Sequence, residues 1–374
     1  MATSLWADAK NLLCVRLDTL GDVLMTTPAI RALKQSAPDR RVTLLTSTPG
    51  SRVASLVPEI DAVLRYDPPW MKATPWRRGE TDLEMIGELG ALGFDAAVIF
   101  TVFSQNPLPA ALCCYLAGIP LRLAHCRENP YQLLTDWVAE PEPERFIRHE
   151  VRRQLDLVAA VGASTSDERL SLAVSPQATA EALSLLAECG LRLDAPWLVI
   201  HPGATAASRR WPPESFAAAA RELAVEHGFQ LVFTGSDSER ALVQAICNQI
   251  GAPTLSLAGQ LSLAALAALV ALAPLVISNN SGPVHIAAAV GTPIVDLYAL
   301  TNPQHTPWQV PHRVLSHDVP CRWCFRSICP EGHHDCLRQV EPRQVVAAVL
   351  ELLAETTTHD ASPLPSPLPV QYAV

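Results

Sequence analysis

Short, uninterrupted apolar runs alternate with longer stretches of helical periodicity from one end of this 374-residue chain to the other. The runs are "NLLCVRL", "RVTLLTS", "DAVLRY" and "FDAAVIF", and later "PWLVIHPG", "FQLVFTG", "PTLSLAG", "PLVISNN" and "TPIVDLY". A strand covered by helices on both faces reads as a continuous apolar run, whereas a half-exposed strand alternates. The pattern therefore predicts an α/β protein with doubly wound parallel sheets. Single cores stop growing near roughly 250–300 residues, so two domains are expected. The stretch "SLAVSPQATAEALSLLAECGLRLDAPW" separates the two sets of runs, and Ser175-Pro176 at its start places the division there. The expected organisation is residues 1–175, residues 176–354, and a proline-rich disordered tail over residues 355–374.

Open α/β sheets bind ligands beyond the carboxyl ends of their strands, so three loops that follow apolar runs are the places to look for chemistry. The first is "RLDTLGD", which leads into "VLMTTPAIRALK" with Val23, Thr26, Ile30 and Leu33 at helical spacing. Gly21 suits a tight turn between strand and helix. Asp22 has two readings: it caps the helix, leaving Asp18 free in the turn, or it is a carboxylate that accepts a proton from a substrate hydroxyl. The second loop is "HPGATAASRRWPPESF", where Gly203 permits close backbone approach. Arg209 and Arg210 either hold phosphate oxygens with planar donor forks or are a solvated charged pair. The third is "SNNSGPVHIAAAVGTP". Asn280 or Ser281 can cap a helix there, Gly282 bares the backbone, and Pro283 fits the first turn, so the amides and dipole make an anion site. His285, one turn in, is a further donor or a packing residue.

The remaining composition narrows the class. A net charge of −9 argues against nucleic acid as a partner. "MATSLWADAK" lacks the order of a secretory signal, so the ten cysteines are expected as thiols in the cytoplasm. The segment "LSLAALAALVALAPLVIS", residues 261–278, is long enough for a bilayer but is split by Pro274, which predicts a buried helix turning into a strand. There is no G-x-G-x-x-G, Walker A, H-E-x-x-H or Asp-x-Asp pattern, so a nucleotide diphosphate must be neutralised by arginines and amides.

In this order and spacing the three loops resemble glycosyltransferase family 9, the bacterial heptosyltransferases of lipopolysaccharide core assembly, from about residue 11 to about residue 354. The motifs that carry the likeness are "RLDTLGDVLMTTPAIRALK", "HPGATAASRRWP" and "NSGPVHIAAAVGTP". The resemblance implies a GT-B architecture, two facing Rossmann-like domains with a cleft between them. The N-terminal domain would take a glycolipid acceptor and the C-terminal one a nucleotide sugar, ADP-heptose in characterised members. It implies inversion without a metal or other cofactor and assigns Asp22 as general base, with Arg16, Asp18 and Gly21 on the acceptor side or in the turn. Arg209, Arg210, Asn280, Ser281, Gly282 and His285 would bind the donor, Arg209 standing where the family has a phosphate-contacting lysine. One position departs: the family's third motif has aspartate where this chain has Asn280, which opens a different nucleotide sugar, or a silent sugar-nucleotide binder, as alternatives.

Two features stand outside the motifs. Cys321, Cys324, Cys329 and Cys336, with His333 and His334, supply enough ligand types for zinc or iron–sulfur binding, but the favoured reading is reduced packing thiols or a redox pair without a metal. Trp70, Lys72, Trp76, Arg77 and Arg78, and the arginines at 145, 148 and 152 on one expected helix face, suit peripheral contact with the cytoplasmic face of a membrane. The plain alternative is a loop and a solvated helix whose arginines pair with Glu144 and Glu150.

Overall fold

The structure, a computed structural model, describes residues 2–72 and 74–358. It divides into two compact units, one ending at Leu172 and the other beginning at Ala173. The first contains strands β1 (Asn11–Arg16), β2 (Arg41–Thr46), β3 (Ala62–Arg65), β4 (Ala96–Ile99), β5 (Leu121–Cys126) and β6 (Asp136–Ala139). The second contains β7 (Trp197–His201), β8 (Gln230–Phe233), β9 (Leu255–Ser256), β10 (Val276–Asn279), β11 (Ile294–Leu297) and β12 (His312–Leu315).

Every strand pairing is parallel. The orders are β3-β2-β1-β4-β5-β6 and β12-β11-β10-β7-β8-β9. Counted from each unit's own first strand these are the same order, the doubly wound one in which the direction of winding reverses beside the first strand. The reversal lies between β1 and β4 in the first unit and between β7 and β10 in the second. All three sequence motifs follow strands that flank a reversal: β1, β7 and β10.

The nine apolar runs all form strands, and burial explains why: β4, β7, β10 and β11 are buried at every position. Three further strands were not foreseen. β5 carries Arg122 and His125, which break its apolar run, yet both are buried because the surrounding backbone accepts from Arg122 (Nε to Leu133 O, 2.8 Å) and His125 meets Arg153 O at 3.1 Å. β6 and β12 are sheet edges with incomplete burial.

The segment 261–278 forms a helix, Leu263–Leu272, and then β10, with Ala273 already extended before Pro274. No helix among the described residues is long and apolar enough to cross a membrane. At the C-terminus the helix Pro342–Thr358 runs past residue 354, so the expected tail does not begin at 355. Glu355 pairs with Arg313, and the Thr356 hydroxyl donates to Leu352 O at 3.0 Å, holding the last turn. The rest of that expected tail, residues 359–374, lies outside the described residues.

The arginines at 145, 148 and 152 do not share a helix face, because the helix there spans only Glu150–Ala159. Arg148 pairs with Glu142 and Asp156, and Arg152 with Glu168. Glu150, assigned to those arginines from the sequence, turns instead to Arg16.

Candidate active site

The first motif is a strand end wired to a helix start. β1 ends at Arg16, and the helix Leu20–Gln35 begins after Thr19, whose extended backbone makes it the N-cap. Gly21 lies inside the first helical turn and is buried, so Thr19, not Gly21, makes the exit from the strand. Pro28 sits within the helix and cannot donate to the Leu24 carbonyl, but the Thr27 hydroxyl does so at 2.7 Å and repairs the break. Val23, Ile30 and Leu33 are fully buried, as their spacing requires.

Asp22 caps the helix and does more. Its Oδ2 accepts from the Thr19 amide at 3.1 Å and the Thr19 hydroxyl at 2.8 Å, forming a capping box. Its Oδ1 accepts from Arg16 Nη2 at 3.1 Å. These donors orient the carboxylate through both of its oxygens. The side chain is 14% exposed, enough for a substrate hydroxyl to reach it.

Arg16 is wholly buried and serves three carboxylates: Asp18 at 3.1 Å, Asp22 at 3.1 Å and Glu150 at 2.8 Å. Burial opposes its charge, but Asp18, Glu150 and Asp22 outweigh that, so the guanidinium is held charged above its ordinary range. Asp18 is therefore not free in the turn. It is braced by Arg16 and by Gln105 Nε2 at 2.6 Å, while burial, with smaller repulsion from Asp22, raises its carboxyl to about 6. Glu150 also accepts from Gln154 at 2.7 Å. Sequence reading missed Gln105, Glu150 and Gln154, which come from other elements.

In the second unit, β7 delivers "HPG" to a loop stitched down by Asn279 at the end of β10. Asn279 donates to Pro202 O at 2.7 Å and accepts from the Trp211 amide at 2.9 Å. Trp211 is buried, bonds Val340 O through its indole at 3.1 Å and meets Phe216 edge-on at 4.8 Å. Between these anchors Arg209, half-buried, and Arg210, exposed, take different directions. Arg209 lies within electrostatic reach of Asp296, whereas Arg210 donates to Ala204 O at 2.7 Å and acts on Glu239.

What approaches Gly203 is Glu239, whose carboxylate occupies the space any Cβ there would need. Burial opposes the Glu239 charge, but the Ser236 amide and hydroxyl, with His201 and Arg210, hold its carboxyl below the ordinary range. An ionised carboxylate only accepts hydrogen bonds, so Glu239 suits hydroxyl groups, not phosphate. Burial pushes His201 down to about 4.

The third motif forms the helix Gly282–Val290 with Ser281 as N-cap. The Ser281 hydroxyl donates to Gly203 O at 3.3 Å, joining this helix start to the second motif. The Gly282 amide thus stands beside the Gly203–Arg210 loop at a helix N-terminus, where the first N–H groups lack intrahelical acceptors and favour anions. His285 is buried in this helix. Asn280 is also buried, and its amide nitrogen donates inward to Asp296 Oδ2 at 3.0 Å and His305 O at 2.9 Å.

The cysteine-rich segment supports the second motif: Ser208 donates its amide to Ser327 O at 3.1 Å and its hydroxyl to Arg326 O at 2.8 Å. All four cysteines are free, with Cys321 Sγ 3.7 Å from His333 Nε2. Among the described residues no three His, Cys, Asp or Glu side chains are grouped to hold a metal ion.

The chain is 26% identical over 355 residues to lipopolysaccharide heptosyltransferase 2 of Escherichia coli, covering 90% of this chain and 96% of that one. Its fold matches a family 9 glycosyltransferase from Veillonella parvula with a TM-score of 0.79 at 24% identity, over 92% of this chain and 98% of the other. It also matches the E. coli ADP-heptose heptosyltransferase II structure with a TM-score of 0.71 at 24% identity, over 93% and 99%. These likenesses establish the GT-B fold. The sequence profile of glycosyltransferase family 9 (heptosyltransferase) matches residues 84–334, and the chain, a glycosyltransferase, belongs to that family.

Proposed function

We infer that the protein transfers heptose from ADP-heptose to a lipopolysaccharide-core acceptor, inverting the anomeric carbon without a metal ion. The observation that carries the reading is Asp22, a partly exposed carboxylate oriented by Arg16 and Thr19 at the carboxyl end of a switch-point strand. Likeness to lipopolysaccharide heptosyltransferase 2 over 90% of the chain supports the choice of donor and acceptor. The first unit is assigned the acceptor and the second the donor, which keeps the domain roles implied by the family resemblance.

In this mechanism Asp22 takes the proton of an acceptor hydroxyl as that oxygen bonds to the anomeric carbon. The bond from carbon to the diphosphate oxygen breaks on the opposite face, and the diphosphate leaves with the electron pair. Arg209, Arg210 and the amide at Gly282, next to Ser281, meet the charge that develops on it, the role preorganised donors fill best. His285 is buried in the same helix, within its first turn. Asp18 and Arg16 hold Asp22 in place.

A panel of nucleotide sugars offered to the wild type and to Asp22→Ala tests this. ADP-heptose should bind to both and turn over only with the wild type; failure of any sugar nucleotide to bind would sink the reading. The buried Asn280–Asp296 pair favours one second reading, transfer from a different nucleotide sugar, and preferred turnover of another donor in the same panel would select it.

The working location is the cytoplasm, with peripheral contact at the inner membrane. Trp76, 88% exposed, supports that contact. Its neighbour Arg77 is held by Asp82 at 2.7 Å and stacks near Tyr66. Replacing Trp76 and Arg78 with serine should reduce co-sedimentation with anionic phospholipid vesicles without altering melting; undiminished binding would refute this contact.

A further inference from the structure

Asp296 is the least expected group in the second unit. It stands on β11 inside an otherwise apolar strand, level with Ser278 of β10, and is completely buried. One oxygen, Oδ2, accepts from Asn280 at 3.0 Å. The other, Oδ1, is buried with no hydrogen-bond partner among the described residues. A buried carboxylate left half-satisfied is costly, so a fold that keeps one needs a compensating use or a proton on it. Burial does raise its carboxyl, to about 8, against the opposing effects of the Asn280 hydrogen bond and the Arg209 charge.

We propose that Asp296 is a positioning residue for the diphosphate of the sugar-nucleotide donor, acting as a neutral acid that orients Asn280 and leaves the Arg209 charge to the ligand. This rests on the donor-site reading above. Asn280 immediately precedes Ser281, the N-cap of the helix Gly282–Val290, and its own amide bonds Leu297 O at 3.1 Å. Asp296 thus fixes the residue that launches the anion-binding helix end. When Asp296 is neutral, Arg209 faces no competing anion from the strand; when it ionises, it draws on that guanidinium and opposes the bound diphosphate. The physics resembles other carboxylic acids kept protonated by apolar surroundings so that they work in the neutral form.

The surrounding elements carry other ionisable groups. They are His285 on the helix Gly282–Val290, His305 in the loop after β11, His312 and Arg313 on β12, and Arg343, Glu351 and Glu355 on the helix Pro342–Thr358. Glu351 and Glu355 pair with Arg313. His201 is two strands away across β10. A variant at 296 is therefore needed to isolate its titration from theirs.

The test is ADP affinity between pH 7.5 and pH 9, a range well above the last phosphate ionisation at about 6. Wild-type affinity should fall about tenfold across it, as Asp296 loses its proton in the free protein and binding must restore it. Asp296→Asn, which keeps the shape and the acceptor for Asn280, should bind ADP with an affinity nearly constant with pH. Asn280→Asp should weaken binding more when Asp296 is present than in the Asp296→Asn background, because only in the first case do two carboxyl groups face each other. A flat wild-type profile, a fall that persists in Asp296→Asn, or an equal cost of Asn280→Asp in both backgrounds would overturn the proposal. If Asp296→Asn fails to fold, Asp296→Ser, which also removes the titrating carboxyl and keeps an acceptor for Asn280, takes its place in the comparison. Absence of ADP and of every other nucleoside diphosphate from the wild type would refute the donor-site reading itself, and this proposal with it.

Discussion

Asp22→Asn is expected to lower kcat by about 10²–10⁴-fold, the usual worth of a positioned general base, while donor KM and the thermal midpoint stay near wild type. Asparagine keeps an oxygen to accept from Thr19 and the size of the group, so the helix start Leu20–Gln35 should survive, and Arg16, which loses this partner, keeps Asp18 and Glu150. Loss of the charge at the helix N-terminus costs about 0.3–1 kcal/mol, too little to unfold the unit. The two roles of Asp22 are thereby separated: asparagine spares the cap, so a residue that only capped the helix would leave both turnover and melting near wild type. Steady-state release of the nucleoside diphosphate, measured beside a melting curve, decides it. A variant that keeps more than about a tenth of wild-type turnover falls outside the range for a base and removes Asp22 from the chemistry.

The second large effect belongs to stability. Arg16→Met should destabilise the first unit by about 3–5 kcal/mol, the cost of leaving a buried charge without its partner. That is a large part of an ordinary folding margin of about 5–15 kcal/mol. Glu150 would be left fully buried beside Asp18 and Asp22, with no cation from β1. The pH dependence has a definite sign. Removing Arg16 takes away the positive charge that lowers the Asp18 carboxyl, already raised to about 6 chiefly by burial. A carboxyl raised in the folded state binds more protons there than when unfolded, so stability falls as pH rises from about 4 through its folded value. The variant should therefore resist urea better at pH 5 than at pH 7.5, and adding Glu150→Gln should recover part of the loss. Equal midpoints for wild type and Arg16→Met at pH 7.5 would show that the three-carboxylate cluster contributes nothing to the fold.

Local sequence pattern is enough to read the α/β class, nine of the strands, the split of residues 261–278 into helix and strand, and the three loops at which chemistry is sought. Each of these is local: a strand buried on both faces must be apolar at every position, and a helix start needs its capping residue within three positions. The same locality explains the misses. β5 holds Arg122 and His125, whose burial is repaid by backbone acceptors elsewhere in the unit, so its run looked broken. Glu150 was assigned to neighbouring arginines because proximity in sequence is all a sequence offers, yet it meets Arg16 across 134 positions.

Asp22 shows the boundary between the two kinds of information most clearly. That an aspartate there can cap the helix is readable from the sequence, and the structure supplies its partner, Thr19, in a capping box. That Arg16 would reach the same carboxylate, while held by Asp18 and Glu150, depends on the packing of three separate elements. Asp296 passed as one residue of an apolar strand, and Asn280 as a loop residue facing a ligand; only tertiary packing turned them toward each other. Periodicity and turn chemistry act between near neighbours and are written in the sequence. Burial of charge is settled by which distant partner can answer it, and that is decided only when the chain has folded.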